Sequence, residues 1–470
     1  MRILLPTGAS TESQVRRAAS GYDADVVVTG EIASFLTPHA LRMLVKGNEY
    51  DCVIVSGMCT ASFEQVERET GVPIFRGPRH AADLERVLPL LETTELSRSI
   101  PADDFLAARR VEQALHRIRE QEKNAVPDFI IRGVKIGGGS RMKVLAEIMD
   151  AHTCGDIRRL VSQYLASGAD IVDLGFGFDA TPDDVTRTFS HVSDIDAPLA
   201  VDTQDSSLIR AALGRADIIL SLQETNIPEI GKEVAKAGTA SVVVPGNSTL
   251  EKNIALAKKA GIRCIIADPL LQPVGSGFIQ SLGRFKKTGW PLFFGAGNVV
   301  ELFDADSIGM NALLSGIAAE AGASVIFTSE HSDKTQGSIR EMRRATEMMV
   351  LAQDRPYPKD LGLDLLVLKE KRRRREPPLE YNTSRPARSM PDEITYDPKG
   401  NFRIGIEGDQ IVAVINKKAV RGRRWQDVLY SVISQGDISL LDHAGYLGRE
   451  LFKAELAIRY GRSFEQDGEF

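Results

Sequence analysis

The sequence predicts an α/β protein with a closed barrel of eight βα units at its centre. A small doubly wound parallel α/β domain precedes the barrel and a small α+β domain follows it. Three observations predict this. Short apolar runs alternate with helix-length stretches up to about residue 350, the rhythm of parallel βαβ units. Eight such runs fall between about 126 and 350, roughly 20–35 residues apart, the length of one βα unit. The rhythm then stops at a charged, proline-containing run, beyond which the pattern reads as a hairpin and two helices.

Residues 1–125 form the first segment, a Rossmann-like α/β domain. Its strands are RILLPT (2–7), DVVVTG (25–30), DCVIVSG (51–57) and VPIFRG (72–77), closed by a helix near 79–93. A charged helix at about 102–123 is the connector to the next domain. Residues 126–350 are the barrel, opening with a hairpin in DFIIRGVKIGGGSR. Its strands are KVLAEIM (143–149), ADIVDLG (169–175), PLAVDT (198–203), ADIILSL (216–222), ASVVVP (240–245), RCIIADP (263–269), PLFFGAG (291–297) and ASVIFTS (323–329). Together they argue for a TIM (β/α)8 barrel, whose functional groups sit at the C-terminal strand ends. Residues 351–391 are a linker holding the charge run KEKRRRREPP (369–378), read as a solvated tether. Residues 392–470 form the α+β domain: a hairpin in NFRIGIEGDQIVAVIN (401–416) and helices at about 423–435 and 442–460.

Composition narrows the function. The chain has 470 residues and a net charge of -6, which excludes a generally basic surface for nucleic acid. Mean hydropathy is -0.13 and no long apolar run occurs, so no membrane span is expected. The 4 cysteines show no CxxC spacing, so neither a disulfide framework nor a structural zinc site is expected, and the cytoplasm is the default compartment. Cys59 and His152 each follow a strand, and each reads first as a packing residue; so does His443, with Asp442 expected to cap its helix.

The strand ends ADIVDLG, PLAVDT and CIIADP put Asp173, Asp202 and Asp268 at one mouth. Carboxylates there suit a planar heterocycle carrying N–H and NH2 donors side by side, because one carboxylate accepts two bonds in a plane. The competing reading is that each caps a helix or binds a neighbouring backbone group.

This pattern resembles the dihydropteroate synthases and the related pterin-binding methyltransferases. Asp173 looks like the Asp of the family's DIGGES strand, Asp202-Thr203 like its VDT strand and Asp268-Pro269 like its DPG strand. The resemblance implies that Asp202 and Asp268 hold the pterin ring. The departures are informative. Glu147 stands where the family's strand-1 Asn handles magnesium and pyrophosphate, and Ser221 or Gln223 must replace a strand-4 Asn. On strand 7, GAGNVV (295–300) offers Asn298 in place of a Ser-Arg-Lys run, and the strand-8 Arg-x-His is missing from IFTSEHSDKTQG. Lys334 is the substitute cation, just before a helix start at Ser338 with Glu341 as its capping-box partner. The stretch 297–320 resembles the methyltransferase side of the superfamily. The tail LDHAGYLGRELFKAELAIRYGRSFEQD (441–467) resembles the dihydropteroate synthase-related proteins of methanogens and of methylotrophs that use tetrahydromethanopterin.

The resemblance implies a transferase in biosynthesis of that coenzyme, condensing an activated 6-hydroxymethyl-dihydropterin with a ribofuranosyl-aminobenzene arylamine. Asp173, Asp202, Asp268 and Lys334 would be its catalytic set; Glu147, Asp202, Gln223, Asp268 and Asn298 would bind the pterin. No tightly held metal is expected, although magnesium travelling with a diphosphorylated substrate is compatible with the reading. A homodimer is implied by the resemblance alone. Two other readings stay open: pterin-dependent one-carbon (methyl) transfer, which needs no diphosphate site, and a pterin-binding protein without catalysis.

Overall fold

The computed structural model describes all residues except 287–288, 356, 372–378, 380, 390–394 and 470. Contacts divide the chain into two units, Met1–Leu365 and Leu366–Phe470. In the first unit, strands β1 (Ile3–Thr7), β2 (Ala24–Val28), β3 (Cys52–Val55) and β4 (Ile74–Arg76) form a parallel sheet in the order β2-β1-β3-β4. The expected helix near 79–93 is instead a broken series: a 3-10 turn at Ala81–Asp83, one α-turn at Leu84–Val87 and a 3-10 turn at Leu88–Leu90. Pro89 has no N–H to donate and cannot extend a helix there. The connector helix runs Ala102–Asn124.

The hairpin β5 (Phe129–Ile131) and β6 (Val134–Ile136) precedes the barrel. The barrel strands are β7 (Lys143–Ile148), β8 (Ile171–Gly175), β9 (Leu199–Asp202), β10 (Ile218–Leu222), β11 (Ala240–Val243), β12 (Ile265–Ala267), β13 (Leu292–Phe294) and β14 (Ala323–Ser329), all parallel and closed by β14 on β7. The expected TIM barrel is therefore present, strand for strand.

Alternation along each strand decides what faces inward. Leu145, Ile171, Ala200, Ile218, Val242, Ile266, Phe293 and Val325 share one apolar cluster with Ile131 and Ile136 of the hairpin, which fills the N-terminal end of the barrel. Their neighbours Val144, Val172, Val201, Ile219, Val243, Ile265 and Ile326 pack outward against the helices. A buried charge network fastens the same end. Lys143 Nζ lies 2.9 Å from Glu122 of the connector helix, and Asp170 is paired with Arg141 and, at 3.1 Å, with Arg343.

In the second unit, β15 (Arg403–Glu407) and β16 (Gln410–Ile415) form the expected hairpin, with a third strand β17 (Lys418–Gly422) antiparallel to β16. Helices Trp425–Ser434 and Leu441–Tyr460 cover the sheet through Val428, Val432, Leu447, Leu451 and Ala454. The charge run 369–378 falls mostly outside the described residues. No helix among the described residues is long and apolar enough to cross a membrane.

Candidate functional site at the barrel mouth

The inward phase of the apolar layer continues upward with a change of chemistry. Two residues beyond Leu145 is Glu147; beyond Ile171 is Asp173; beyond Ala200 is Asp202; beyond Ile266 is Asp268. Strand register sets Glu147 beside Asp173 and places Asp202 level with Gly175 and Leu220. Oxygens of Glu147, Asp173 and Asp202 all lie within 4.8 Å of one another, a spacing that a divalent cation could span. The mouth thus collects four carboxylates above an apolar core.

Their environments push all four toward the protonated form. Asp173 is fully buried, and neither of its oxygens has a hydrogen-bond partner among the described residues. Burial, then Asp202 and Glu147, push its carboxyl well above the usual carboxylate range. Glu147 is pushed up by burial and by Asp202, Asp150 and Glu301, and Asp202 by burial. Asp268 is pushed up to about 7 by burial, against the hydrogen bond that its Oδ1 accepts from Leu270 N at 2.8 Å. Carboxylates held with no ion-paired cation and, for Asp173, with no donor among the described residues are unusual in a stable interior and mark a place built for a ligand.

The remaining expected residues ring this core. Gln223 is half-buried and donates through Nε2 to Gln204 Oε1 at 2.8 Å, while Gln204 donates to Ser221 Oγ at 3.3 Å. Asn298 is exposed on the short helix Gly297–Val300. Lys334 lies in the 3-10 turn Asp333–Thr335 at the rim, its Nζ 2.9 Å from Asp304, whose side chain is fully exposed. The expected capping box is absent. Gly337 precedes the helix Ser338–Ala352, and Glu341 instead accepts from Ser307 Oγ and Asn311 Nδ2 across to the helix Ser307–Ala321. His152 stacks on Phe176 at 6.1 Å, with Nε2 3.6 Å from Asp179 and Nδ1 buried without a partner. Cys59 is buried, which raises its thiol pKa.

Three polar residues escaped the sequence reading. Buried Asn226 accepts from Gln223 N and donates to the carbonyls of Gln204 and Ser221, fixing the β10 loop. Glu301, beyond β13, accepts from the loop beyond β14. In the second unit, buried Asp397 accepts from Lys399 N, Ser439 N, Ser439 Oγ, Leu440 N and His443 Nδ1. Asp397, not Asp442, therefore serves the start of the helix Leu441–Tyr460. Its burial is outweighed by these donors, which hold its carboxyl below the usual range. A cavity of about 580 Å³ lies at the opposite end of the barrel, between the glycine loop at Gly137–Gly139, Trp290 and Met349, remote from the carboxylates.

Residues 396–467 match the family model PterinBD-DUF4346. Over nearly its whole length the chain is similar to the uncharacterized protein MJ0107 of Methanocaldococcus jannaschii: 36% identical over 517 aligned positions, 99% of this chain and 98% of that one. The chain belongs to the family of that protein. The match of the C-terminal residues bears out the resemblance to pterin-binding proteins. Among solved structures, a Yersinia pestis dihydropteroate synthase with a pterine-sulfa conjugate is 19% identical, with a TM-score of 0.40, covering 48% of this chain and 98% of that one. A Thermus thermophilus dihydropteroate synthase in complex with 6HMPPP is 19% identical, with a TM-score of 0.37, covering 44% and 92%. These likenesses are remote and assign no residue of the mouth.

Proposed function

We propose that the barrel mouth binds a reduced pterin and that the chain is a transferase acting at the carbon substituent of that ring. The observation that carries this reading is the inward set Glu147, Asp173, Asp202 and Asp268, of which Asp173 and Asp268 are buried and Glu147 and Asp202 half-buried, none ion-paired with a cation among the described residues. A pterin presents a ring N–H beside an exocyclic NH2, and an ionised carboxylate meets that pair with two charge-assisted bonds. Asp202 and Asp268 are assigned to the ring edge, Gln223 and Asn298 to its periphery, and Asp173 with Glu147 to the reacting side. The family model for the C-terminal residues, named for a pterin-binding domain, supports the same ligand class.

The reaction first favoured is condensation of a 6-hydroxymethyl-dihydropterin derivative with a ribofuranosyl-aminobenzene arylamine, a step of tetrahydromethanopterin assembly. Its catalysis rests on holding the amine in line with the exocyclic methylene and on stabilising the departing group. Lys334, in the turn beyond β14, is assigned to that group. One-carbon transfer from a methyl-pterin is the second reading. It is favoured by the acidity of the mouth and by the pairing of Lys334 with Asp304, since it needs no anion site. Incubation of the pure chain with each donor and the arylamine, followed by mass spectrometry, separates the two. A condensed product supports the first, loss of the methyl group supports the second, and absence of pterin binding refutes both.

A further inference from the structure

We infer that Glu301 fills the anion site of this barrel, so that the mouth takes its pterin without a diphosphate. Parallel barrels commonly hold phosphate at the loops after their seventh and eighth strands, with hydroxyl and backbone N–H donors. Here those loops follow β13 and β14. The donors are present and already converge on one carboxylate. Glu301 Oε1 accepts from Ser329 Oγ at 2.9 Å, His331 N at 3.2 Å, Ser332 N at 3.4 Å and Thr335 Oγ1 at 2.7 Å. Its Oε2 accepts from Ser332 Oγ at 2.5 Å. Three hydroxyls and two amides are the complement that phosphate oxygens would use; the chain supplies the anion itself.

The surroundings point the same way. Glu330, also on the β14 loop, accepts from Ile339 N at 3.0 Å and so occupies the start of the helix Ser338–Ala352. Lys334 is already paired with Asp304 at 2.9 Å. Ser329 lies in register with Glu147, so the Glu301 carboxylate stands next to the acidic cluster. Partial burial opposes ionisation of Glu301, but the donors from Ser332, Thr335 and Ser329 prevail and keep it ionised. A diphosphate entering here would meet the ionised Glu301 carboxylate and find the local donors spent.

The inference rests on the pterin reading and, within it, selects one-carbon transfer over condensation of a diphosphate-activated pterin: the transferable group arrives on an unphosphorylated ring. Calorimetric titration of the full chain tests it with 6-hydroxymethyl-dihydropterin, its diphosphate, and inorganic pyrophosphate alone. The wild type is expected to bind the unphosphorylated pterin at least tenfold more tightly than the diphosphate and to give no heat with pyrophosphate. Glu301→Ser, which vacates the donors, and Glu301→Gln, which keeps the shape without the charge, are expected to shrink that preference at least tenfold. Glu301→Ser should also gain pyrophosphate binding. A wild type that prefers the diphosphate, or variants with an unchanged preference and no gained pyrophosphate affinity, overturn the inference. Gained pyrophosphate binding in a chain that binds neither pterin refutes the pterin reading and leaves the anion site standing.

Discussion

Asp268→Asn should make the barrel more stable and bind pterin less well at the same pH. Asp268 is 7% exposed, and its carboxyl is pushed from the usual 3.8 to about 7 by burial. Asp202 adds to the rise, while Leu270 N and Arg284 work against it. Between those values the folded chain holds a proton that the unfolded chain has released. The associated stability is therefore complete below about pH 4 and is lost as pH rises through 7. At about 1.36 kcal/mol per pH unit, the ceiling on that loss is about 4 kcal/mol. Relaxation and water entry reduce it, so about 1–2 kcal/mol is expected. Asn keeps an oxygen for Leu270 N and removes the titrating proton. Urea unfolding at pH 4 and pH 8 should show the variant level with the wild type at the lower pH and about 1–2 kcal/mol more stable at the higher. A charged hydrogen bond is worth about 1.5–3 kcal/mol, and about 1.4 kcal/mol is tenfold, so pterin affinity should fall roughly ten- to a hundredfold. Opposite signs for stability and affinity mark a carboxylate kept for a ligand. A variant that is less stable at pH 8, with unchanged affinity, would show that Asp268 serves only the Leu270 turn.

Asp202→Asn should weaken dihydropterin binding by a similar tenfold to hundredfold, read by calorimetry; wild-type affinity in that variant removes Asp202 from the ring edge. Asp173→Asn should raise stability at pH 8 by about 1–3 kcal/mol, because both carboxylate oxygens lack partners and an amide can donate to Glu147 or Asp202. Urea unfolding checks this, and a loss of stability would mean that the wild-type carboxyl is satisfied by its proton. Asp397→Ala should lower the melting temperature of the C-terminal unit, since five hydrogen bonds end on that carboxylate; an unchanged transition by calorimetry would show the cluster to be idle.

The barrel was legible because strands buried on both faces read as mostly apolar runs, and these do, interrupted by the polar residues of the mouth. β17 was not, because KAVRG is mostly exposed and charged, with a single half-buried valine to mark it. The series at 81–90 carries a helical apolar spacing, and only Pro89 argues against it. At the mouth, Asp173, Asp202 and Asp268 were legible because each ends a recognisable strand. Glu301 was not, since it lies beyond the short helix Gly297–Val300 and its partners are on another loop. The signal that could have found it is the run SEHSDKT (329–335), rich in hydroxyls and poor in cations. The pairing of Asp397 with His443 crosses 46 residues, beyond the reach of any local pattern.

The pH dependence of binding separates two ways in which the mouth could meet its ligand. With Asp268 near 7, and Glu147, Asp173 and Asp202 also raised, the empty mouth holds protons at neutral pH. A ring edge of N–H and NH2 donors needs acceptor-only carboxylates, so such a ligand expels protons as it binds. Affinity should then rise with pH, by about tenfold per pH unit for each proton released, and level off above about pH 7. Titrations in buffers of different ionisation enthalpy should report protons released to the medium. The opposite result, affinity falling as pH rises with protons taken up, would mean that the carboxyls act as donors to a ring nitrogen. Asp202 and Asp268 would then contribute as acids, and the assignment of the ring edge to ionised carboxylates would fail.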